Sequence, residues 1–194
     1  FGKQITADKE AYLRYLDTIS RHTRDIGSMV EEFVNFARMP KALMRPEPLH
    51  MLIRKVIFSE KTVHKEIDYR TEFAPSEITL ECDERLLAQA LLNTIKNAAE
   101  AMEALPDGAE KSVTIRTQEA DDGIRIFVRD SGPGFPEENI DELTEPYVTT
   151  REKGTGLGLA IVRKTMEEHG GTIALRNHPE GGAELELHFA TAKE

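Results

Sequence analysis

Three short stretches of the 194-residue chain combine residue types that suit the binding of a phosphate-bearing ligand. The first is REKGTGLGLAIV, residues 151–162, in which Gly154, Gly156 and Gly158 alternate ahead of an apolar helical pattern. Glycine lets the backbone approach a phosphate closely, and a helix N-terminus offers unpaired N–H groups to an anion. The stretch therefore predicts a phosphate-binding turn.

This turn differs from two common glycine-rich phosphate loops. A Walker loop needs Gly-Lys-Ser/Thr after its glycines, and that sequence does not follow here. A dinucleotide-binding loop follows a buried strand, whereas this turn follows the polar stretch EPYVTTREK. We interpret it as a glycine hinge of a flap that closes over a ligand, with hydroxyl and positive groups from Thr149, Thr150, Arg151 and Lys153.

The second stretch is a pair of asparagines in a long helical pattern. Asn93 and Asn97 are four residues apart and share one helix face, with Lys96 and Glu100 on or beside it. An amide oxygen can ligate Mg²⁺ without adding charge, and Mg²⁺ also takes phosphate oxygens and waters. Taken by itself, the pair favours an ordinary solvated polar face over a metal site.

The third stretch is DSGPGFP, residues 130–136, at the end of a predicted strand. The carboxylate of Asp130 can accept a hydrogen bond from an exocyclic amine. Gly132 and Gly134 permit a turn and let a flat ring approach the backbone. Without the other two stretches, the pattern would indicate only a turn that begins with a polar residue.

The composition limits the classes of ligand and partner. A net charge of −10 argues against an extended surface for nucleic acid or anionic lipid. No apolar run approaches the length of a membrane helix, and the N-terminal residues lack the pattern of a secretion signal. The single cysteine, Cys82, excludes an internal disulfide and is expected to be a buried thiol. The chain lacks an initiator Met, so we expect a piece of a longer protein.

The site must be positioned by helices and strands that the apolar spacing predicts. Residues 8–38 form one predicted helix with a heptad seam, which needs a partner helix or this chain's own core. The members of the seam are Tyr12, Leu16, Ile19, Ile26, Val30, Phe33 and Ala37. Prolines at 40, 46 and 48 then break the helix, and we place a domain boundary in residues 39–48.

After this boundary, helical and strand patterns alternate. A short helix follows Leu49, EIDYRTEFA and EITLEC predict strands, and Asp83 is the expected N-cap of the helix at 84–105. SVTIRTQ and GIRIFVRD predict a hairpin, a long loop covers 131–155, and a helix at about 156–169 precedes two closing strands. The pattern predicts an α+β fold with helices on one face of a mostly antiparallel sheet.

The three stretches, in this order and spacing, resemble a known family. NTIKNAAEA is similar to the N box of the histidine-kinase-type ATP-binding domain, DSGPGFP to its G1 box and GTGLGLA to its G2 box. This Bergerat fold is shared with gyrase B, heat-shock protein 90 and MutL-type ATPases. EPYVTTREKGTGLGLAIV and FVNFARMP most closely resemble the NtrY-like nitrogen-regulation sensor histidine kinases, and the resemblance covers nearly the whole chain.

The resemblance implies an architecture and domain boundaries. The fold would be a two-layer α/β sandwich with a mostly antiparallel mixed sheet, preceded by a helical segment from a dimerisation bundle. Residues 1–40 would be the second helix of the dimerisation and histidine-phosphotransfer hairpin, 41–48 a linker and 49–194 the catalytic ATP-binding domain.

The resemblance also implies roles for individual residues. Asn97 would ligate Mg²⁺, Asn93 would orient water or phosphate, and Asp130 would bind the adenine amino group. Beside the ring would lie Gly132 and Gly134, with Tyr147 as the lid aromatic. Near the phosphates would lie the lid residues Thr149, Thr150, Arg151 and Lys153, and the turn residues Gly154, Thr155, Gly156, Leu157 and Gly158.

Two positions depart from the family pattern. Many relatives carry Lys where this chain has Glu100, so Lys96 or Arg151 would have to neutralise more of the phosphate charge. Many relatives also carry Thr where this chain has Ala183, so adenine recognition would depend on Asp130 and water. We predict catalytic roles for Asn93 and Lys96.

The implied function is that of the ATP-binding catalytic region of a sensor histidine kinase. It would transfer the γ-phosphoryl group of Mg-ATP to a histidine, from which the group would pass to an aspartate on a response-regulator receiver domain. The hydrolytic members of the superfamily are expected to carry a glutamate base where this chain has Asn93, and an amide cannot act as a base. A hydrolytic ATPase and a non-catalytic nucleotide-binding dimerisation module stay open as alternatives.

The acceptor histidine is expected to lie upstream of Phe1. The chain has His22, His50, His64, His169, His178 and His188, and none stands in a His-Glu/Asp-x-x-x-Pro pattern. We therefore expect no self-labelling. We further expect a homodimer through residues 8–38, no nucleic-acid partner, no membrane segment in this part, and a cytoplasmic location, with anchoring of the full-length protein in a bacterial inner membrane left open.

Overall fold

The computed structural model describes residues 2–103, 105–106, 108–149 and 154–191. The chain divides into two compact units, one ending at Met39 and the other beginning at Pro40. The first unit contains one helix, α1 (Gly2–Ala37). The predicted helix at 8–38 is therefore confirmed, and the structure extends it toward the N-terminus.

The apolar seam of α1 is exposed in the single chain. Ile19 retains 61% of its accessible surface, Ile26 60% and Val30 55%. A seam of this length in water requires another apolar surface to cover it.

The second unit contains the remaining elements in alternating order. They are β1 (Arg45–Pro48), α2 (Leu49–Val63), β2 (Asp68–Glu72), β3 (Thr79–Cys82), α3 (Glu84–Ala101), β4 (Ser112–Ala120), β5 (Gly123–Asp130), a 3₁₀ helix (Glu137–Thr144), α4 (Gly158–Glu168), β6 (Thr172–Asn177) and β7 (Ala183–Ala190). Each predicted helix and strand of this unit is present, with ends that differ by a few residues. The 3₁₀ helix occupies part of the long loop at 131–155.

The main sheet has five strands in the order β2-β4-β5-β7-β6. β2 runs parallel to β4, and the other neighbouring pairs are antiparallel. This arrangement confirms the predicted α+β fold with a mostly antiparallel mixed sheet. β4 and β5 form the predicted hairpin, in which Ala120 pairs with Gly123.

A second, two-stranded sheet contains a strand that the sequence pattern did not predict. β1 lies within the predicted linker at 41–48 and pairs antiparallel with β3, with Arg45 opposite Cys82. Pro46 and Pro48 fit an edge strand, since proline cannot donate to a ladder on its inner side. The segment has no alternating apolar residues, so its strand character depends on the partner rather than on its own sequence.

The core lies between the sheet and three helices, α2, α3 and α4. Strand residues such as Ile115, Ile126 and Leu187 have no exposed surface, and neither has Leu91 or Ile95 of α3. These positions alternate along each strand, so one face of the sheet is apolar and covered by helices. None of the helices among the described residues has the length and apolar character needed to cross a bilayer.

The start of α3 is fixed by the predicted N-cap. Asp83 Oδ1 accepts a hydrogen bond from the Leu86 backbone N–H at 3.1 Å, and Oδ2 accepts one from the Leu43 N–H at 3.0 Å. The neighbouring Cys82 is 1% exposed, which confirms the predicted buried thiol. Burial raises the pKa of this thiol to about 12. These contacts tie α3, which carries both asparagines, to the β1–β3 sheet.

Candidate functional site

The two asparagines of α3 face the first turn of α4. Asn93 and Asn97 are half-buried, and Asn93 Nδ2 donates to the Gly158 carbonyl oxygen at 3.5 Å. An ideal Cβ placed on Gly158 would lie 3.3 Å from Asn97 Nδ2. Any larger residue at position 158 would therefore push against the amide of Asn97, which explains why a glycine opens α4.

The carboxylate of Asp130 is buried and oriented by the backbone. Only 6% of its surface is exposed. Its Oδ1 accepts hydrogen bonds from the N–H groups of Gly132 at 2.8 Å and Ala183 at 3.2 Å. Position 183, where a threonine was expected from the family pattern, thus contributes its backbone amide. Because one oxygen receives both amides, the orientation of the whole carboxylate is fixed.

Asn93, Asn97 and Ala101 are spaced four residues apart on α3 and form a stripe along one face of the helix. Asp130 lies beside the C-terminal end of this stripe. An ideal Cβ on Gly132 would lie 2.9 Å from Asp130 Oδ1 and 3.6 Å from Ala101 Cβ. The structure therefore brings Asp130 beside one end of the stripe and Gly158 beside its middle.

The turn after Asp130 is held by a residue that the sequence analysis missed. Asn177, at the end of β6, accepts a hydrogen bond from the Phe135 N–H at 2.6 Å and donates one to the Phe135 carbonyl at 2.9 Å. Its Oδ1 also lies 2.6 Å from the position of an ideal Cβ on Gly134, which has φ +86°. An asparagine at a strand end carries no signal for this contact in the sequence.

A second missed residue is Gly182, which packs against the backbone of Asp130. Its φ is +87°, and an ideal Cβ there would lie 1.9 Å from the Asp130 carbonyl oxygen. The neighbouring Gly181 has φ +95° and open space around the same point. The sequence shows the glycine pair, but it carries no signal for the close approach of one member to Asp130.

The base of the predicted lid is closed by a backbone contact. The Tyr147 N–H donates to the Gly156 carbonyl oxygen at 3.0 Å, and Tyr147 has φ +67° and 62% exposure. Gly156 has φ +68°, and an ideal Cβ there would lie 2.6 Å from the carbonyl carbon of Tyr147. The two ends of segment 148–155 therefore meet, and only glycine fits at one of them.

Other predicted residues occupy different surroundings. Leu157 is 2% exposed, and its N–H donates to Thr155 Oγ1 at 3.2 Å. Lys96 is exposed beside the asparagine stripe, with its Nζ 3.8 Å from the carboxylate of Glu100. Gly154 and Thr149 belong to the same lid segment. Three predicted lid residues, Thr150, Arg151 and Lys153, lie outside the described residues.

The donor groups indicate which kind of metal the site could accept. Within the described ranges, no group of three or more His, Cys, Asp or Glu side chains is placed to hold a metal ion. A cation beside Asn97 would therefore have to bind without such a cluster of described side chains. Mg²⁺ satisfies this requirement, because it commonly takes phosphate oxygens and waters together with one or two protein oxygens.

Comparison with known proteins gives matches along the chain. The model of the family "Histidine kinase-, DNA gyrase B-, and HSP90-like ATPase" matches residues 82–193. "Nitrogen regulation protein NtrY" of Azorhizobium caulinodans is 46% identical over 96% of this chain, which spans 24% of that protein. A "Putative sensor histidine kinase NtrY-like" of Rickettsia felis is 38% identical over 96% of this chain and 31% of its own length. The chain thus spans 24% and 31% of the length of these two relatives.

Solved structures show the same architecture. Full-length ShkA in complex with AMPPNP has a TM-score of 0.74 and 30% identity, covering 93% of this chain and 40% of that one. The nucleotide-free catalytic domain of histidine kinase ThkA has a TM-score of 0.66 and 33% identity, covering 76% of this chain and 97% of that one. ThkA in complex with the response regulator TrrA has a TM-score of 0.73 and 28% identity, over 91% of this chain and 50% of that one.

Proposed function

Since the chain belongs to the histidine kinase-, DNA gyrase B- and HSP90-like ATPase family, and within it to the NtrY-like sensor histidine kinases, we propose that residues 49–194 bind Mg-ATP for phosphoryl transfer to a histidine. The adenine lies at Asp130 and the phosphates lie at Asn93, Asn97 and the start of α4. The observation that carries this assignment is the stripe of α3, which places Asp130 beside one end and Gly158 beside the middle.

Adenine recognition follows from the orientation of Asp130. Because Oδ1 accepts the amides of Gly132 and Ala183, the carboxylate is held in one orientation, in which it accepts a hydrogen bond from an incoming exocyclic amine. Gly132 and Gly134 keep the adjacent space open, since a side chain at either position would meet Asp130 Oδ1 or Asn177 Oδ1. An adenine amino group donates to a carboxylate, whereas a 6-oxo purine presents an acceptor and is disfavoured.

Mg²⁺ is proposed to bind through the amide oxygen of Asn97, and when bound it neutralises phosphate charge. Asn97 lies beside Gly158, where the free N–H groups at the N-terminus of α4 favour an anion. Lys96 supplies a cation next to this stripe, although Glu100 offsets part of its charge. The remaining proposed contacts come from the lid residues 149–155 after closure.

The chemistry proposed is transfer rather than hydrolysis. Phosphoryl transfer depends mainly on positioning and on electrostatic stabilisation. The side chain of Asn93 is an amide held toward Gly158, and an amide cannot remove a proton from water. The acceptor is a histidine outside the six in this chain, none of which has the acceptor sequence pattern. His50 and His169, for example, are engaged by Thr117 and by the backbone of Asp83.

The proposal includes partners and a location. The exposed seam of α1 is an interface with the same helix of a second copy, because a heptad seam packs on another helix. The phosphoryl group then passes to the receiver domain of a response regulator, and this part of the protein works in the cytoplasm, where ATP is available. The likeness to ThkA, which was solved with a response regulator, supports this step.

The metal assignment is tested by calorimetry with ADP in the presence and absence of Mg²⁺. Asn97→Ala should weaken binding of Mg-ADP about tenfold or more, corresponding to about 1.4 kcal/mol. Its affinity for ADP in EDTA should equal that of the unaltered chain. Equal losses under both conditions would show that Asn97 acts on the fold or on the base rather than on the metal.

The base assignment is tested with Asp130→Asn. The amides of Gly132 and Ala183 require an acceptor, so the asparagine must direct its NH₂ group toward the base. We expect weaker binding of ADP and stronger binding of the 6-oxo nucleotide IDP. The ratio of the ADP affinity to the IDP affinity should fall by about tenfold to a hundredfold. An unchanged ratio would remove Asp130 from the base site.

A further inference from the structure

The face of the sheet opposite α2, α3 and α4 contains a cavity of about 550 Å³, and Asp130 is the one lining residue that the proposed function also uses. Its size lies within the range of small-molecule sites. His178 lines it together with seven charged residues, which are Arg70, Glu72, Arg116, Arg129, Asp130, Glu180 and Glu184. Three of these seven are positive and four are negative, so the cavity has little net charge.

Nearly all of the arginines on this face are paired with carboxylates. Four form ion pairs: Arg70 with Asp68 and Glu110, Arg125 with Asp122 and Glu186, Arg129 with Glu180, and Arg176 with Glu184 and Glu186. Arg116 differs, since it makes no ion pair with any residue that the structure describes. Its only polar contact there is a 3.2 Å hydrogen bond from Nη1 to the amide oxygen of Gln118.

The guanidinium of Arg116 is held in place by an aromatic ring. Its central carbon lies 3.7 Å from the centroid of Phe127, and the guanidinium carbon of Arg176 lies 5.6 Å from the same centroid. Phe127 is 5% exposed even though it belongs to the helix-free face. A stacked guanidinium is attracted to the ring and keeps its N–H groups in a fixed plane. Arg116 is therefore a positioned cation without a protein anion.

The residue opposite Arg116 on the neighbouring strand is acidic, and it also lacks an ion pair with a described residue. Glu72 of β2 is the register partner of Arg116 of β4, and both line the cavity. In the described part of the chain, no cation lies within 4 Å of the Glu72 carboxylate, Arg116 included. The guanidinium of Arg116 lies over the ring of Phe127 instead. One cation and one anion thus face the same cavity, and neither forms an ion pair with a residue that the structure describes.

We propose that this cavity binds a small zwitterion with one carboxylate and one ammonium group, of which a free α-amino acid is the simplest example. The carboxylate binds the guanidinium of Arg116, and the ammonium group binds the carboxylate of Glu72. Both contacts are charge-assisted hydrogen bonds, which are stronger than neutral ones. A multiply charged anion is disfavoured, because Glu72, Glu180 and Glu184 also line the cavity.

This cavity adjoins the proposed nucleotide site, because Asp130 at the end of β5 lines the cavity and also accepts the Gly132 amide. Arg116 and Glu72, which carry the proposed zwitterion contacts, have no role in the proposed nucleotide site. Substitutions at these two residues therefore test the zwitterion site separately from the nucleotide assignment.

The test is an NMR titration of the 194-residue chain with the standard L-amino acids one at a time, following the side-chain Nε–H signals of its arginines. Propionate and ethylamine, which carry only one of the two charged groups, are the matched probes. We expect at least one amino acid to shift the Arg116 signal and to bind at least about tenfold more tightly than either probe.

Two variants complete the test. Arg116→Gln and Glu72→Gln should each lower the affinity for that amino acid about tenfold or more, whereas Arg125→Gln, on the same face but outside the cavity lining, should leave it within about twofold. All three variants should bind Mg-ADP as the unaltered chain does, which separates this proposal from the nucleotide assignment. Absence of any shift up to about 10 mM amino acid, or equal affinity for propionate, overturns the proposal.

Discussion

The two faces of the five-stranded sheet are made from alternating residues of the same strands, and they differ in how they are stabilised. On the face toward α2, α3 and α4, residues such as Ile115 and Ile126 are fully buried in the core. On the other face, their sequence neighbours Arg116 and Phe127 belong to a layer of stacked guanidinium groups and ion pairs. Both layers follow from the alternation of side chains along a strand.

The difference shows how one sheet can support stability and binding separately. Burial of apolar surface gives about 25 cal/mol per Å², whereas ion pairs at an exposed surface contribute roughly 0 to 1 kcal/mol each. The helix-covered face therefore contributes most of the stability, and it also fixes Asp130 beside α3. The opposite face, which contains Arg116 and Phe127 and is called the open face below, contributes little stability. Its charged residues can therefore be arranged for a ligand.

The largest effect is expected where the end of the sheet meets the proposed nucleotide site. Gly182→Ala would place a Cβ 1.9 Å from the Asp130 carbonyl at a positive φ, and we expect a loss of about 3 kcal/mol or more in the free energy of unfolding. Gly181→Ala, with a similar φ but open space, should lose about 1 kcal/mol. Urea unfolding measures both. Equal losses would mean that the close approach of Gly182 to Asp130 is absent in solution.

The second prediction compares adjacent residues of β5 on opposite faces. Ile126→Ala should cost about 3 kcal/mol, because it leaves a cavity in a core that cannot collapse. Phe127→Ala should cost about 1.5 kcal/mol despite the larger side chain, since the arginines over the ring can move and water can enter. Urea unfolding of the two variants tests the ranking. A larger loss for Phe127→Ala would show that the open face is a second core.

The third prediction concerns alkaline pH. Burial raises the pKa of the Cys82 thiol to about 12, so the folded thiol stays protonated at a pH where the unfolded thiol ionises. The unfolded state then binds fewer protons, and stability should fall above about pH 8.5 by about 1.4 kcal/mol per pH unit from this group.

The control for this prediction is Cys82→Ala, measured by unfolding between pH 8 and 11. It should show a shallower slope than the unaltered chain, although burial also raises the pKa of the Tyr69 phenol to about 12 and leaves part of the slope. Identical slopes would indicate that Cys82 is exposed to water in the folded protein.

The smallest effects are expected for the ion pairs of the open face. Arg176→Gln should cost about 1 kcal/mol, because the side chain of its partner Glu184 is 8% exposed. Arg70→Gln should cost about 0.5 kcal/mol or less, and about 1 M salt should abolish the difference, since Asp68 and Glu110 are exposed. Melting at low and high salt measures both values. A large, salt-independent loss for Arg70→Gln would contradict the proposed division between the faces.

Much of the fold was predictable because the relevant signals are local. The four-residue spacing of Asn93 and Asn97 predicts a shared helix face, and Asp83 predicts the start of α3, which the structure confirms. The alternation in SVTIRTQ and GIRIFVRD, separated by Asp121-Asp122-Gly123, predicts a hairpin. The structure pairs the two strands antiparallel across this turn. The roles of the individual site residues stay predictions, because they depend on the bound nucleotide.

Other features depend on residues far apart in the sequence. The segment at 41–48 gave no strand signal, because β1 exists only through its pairing with β3. Asn177 lies 42 residues from Phe135, which it holds by two hydrogen bonds. Nothing in the local sequence of Arg116 distinguishes it from the four paired arginines of the same face.

The sequence by itself determined the elements and the family, since periodicity, capping and glycine positions are properties of neighbouring residues. Tertiary structure alone decided which glycines touch which atoms, which charges find a partner and where a cavity opens. Those outcomes depend on distances between strands and helices, and such distances are set by the packing of the whole unit rather than by any local run of residues.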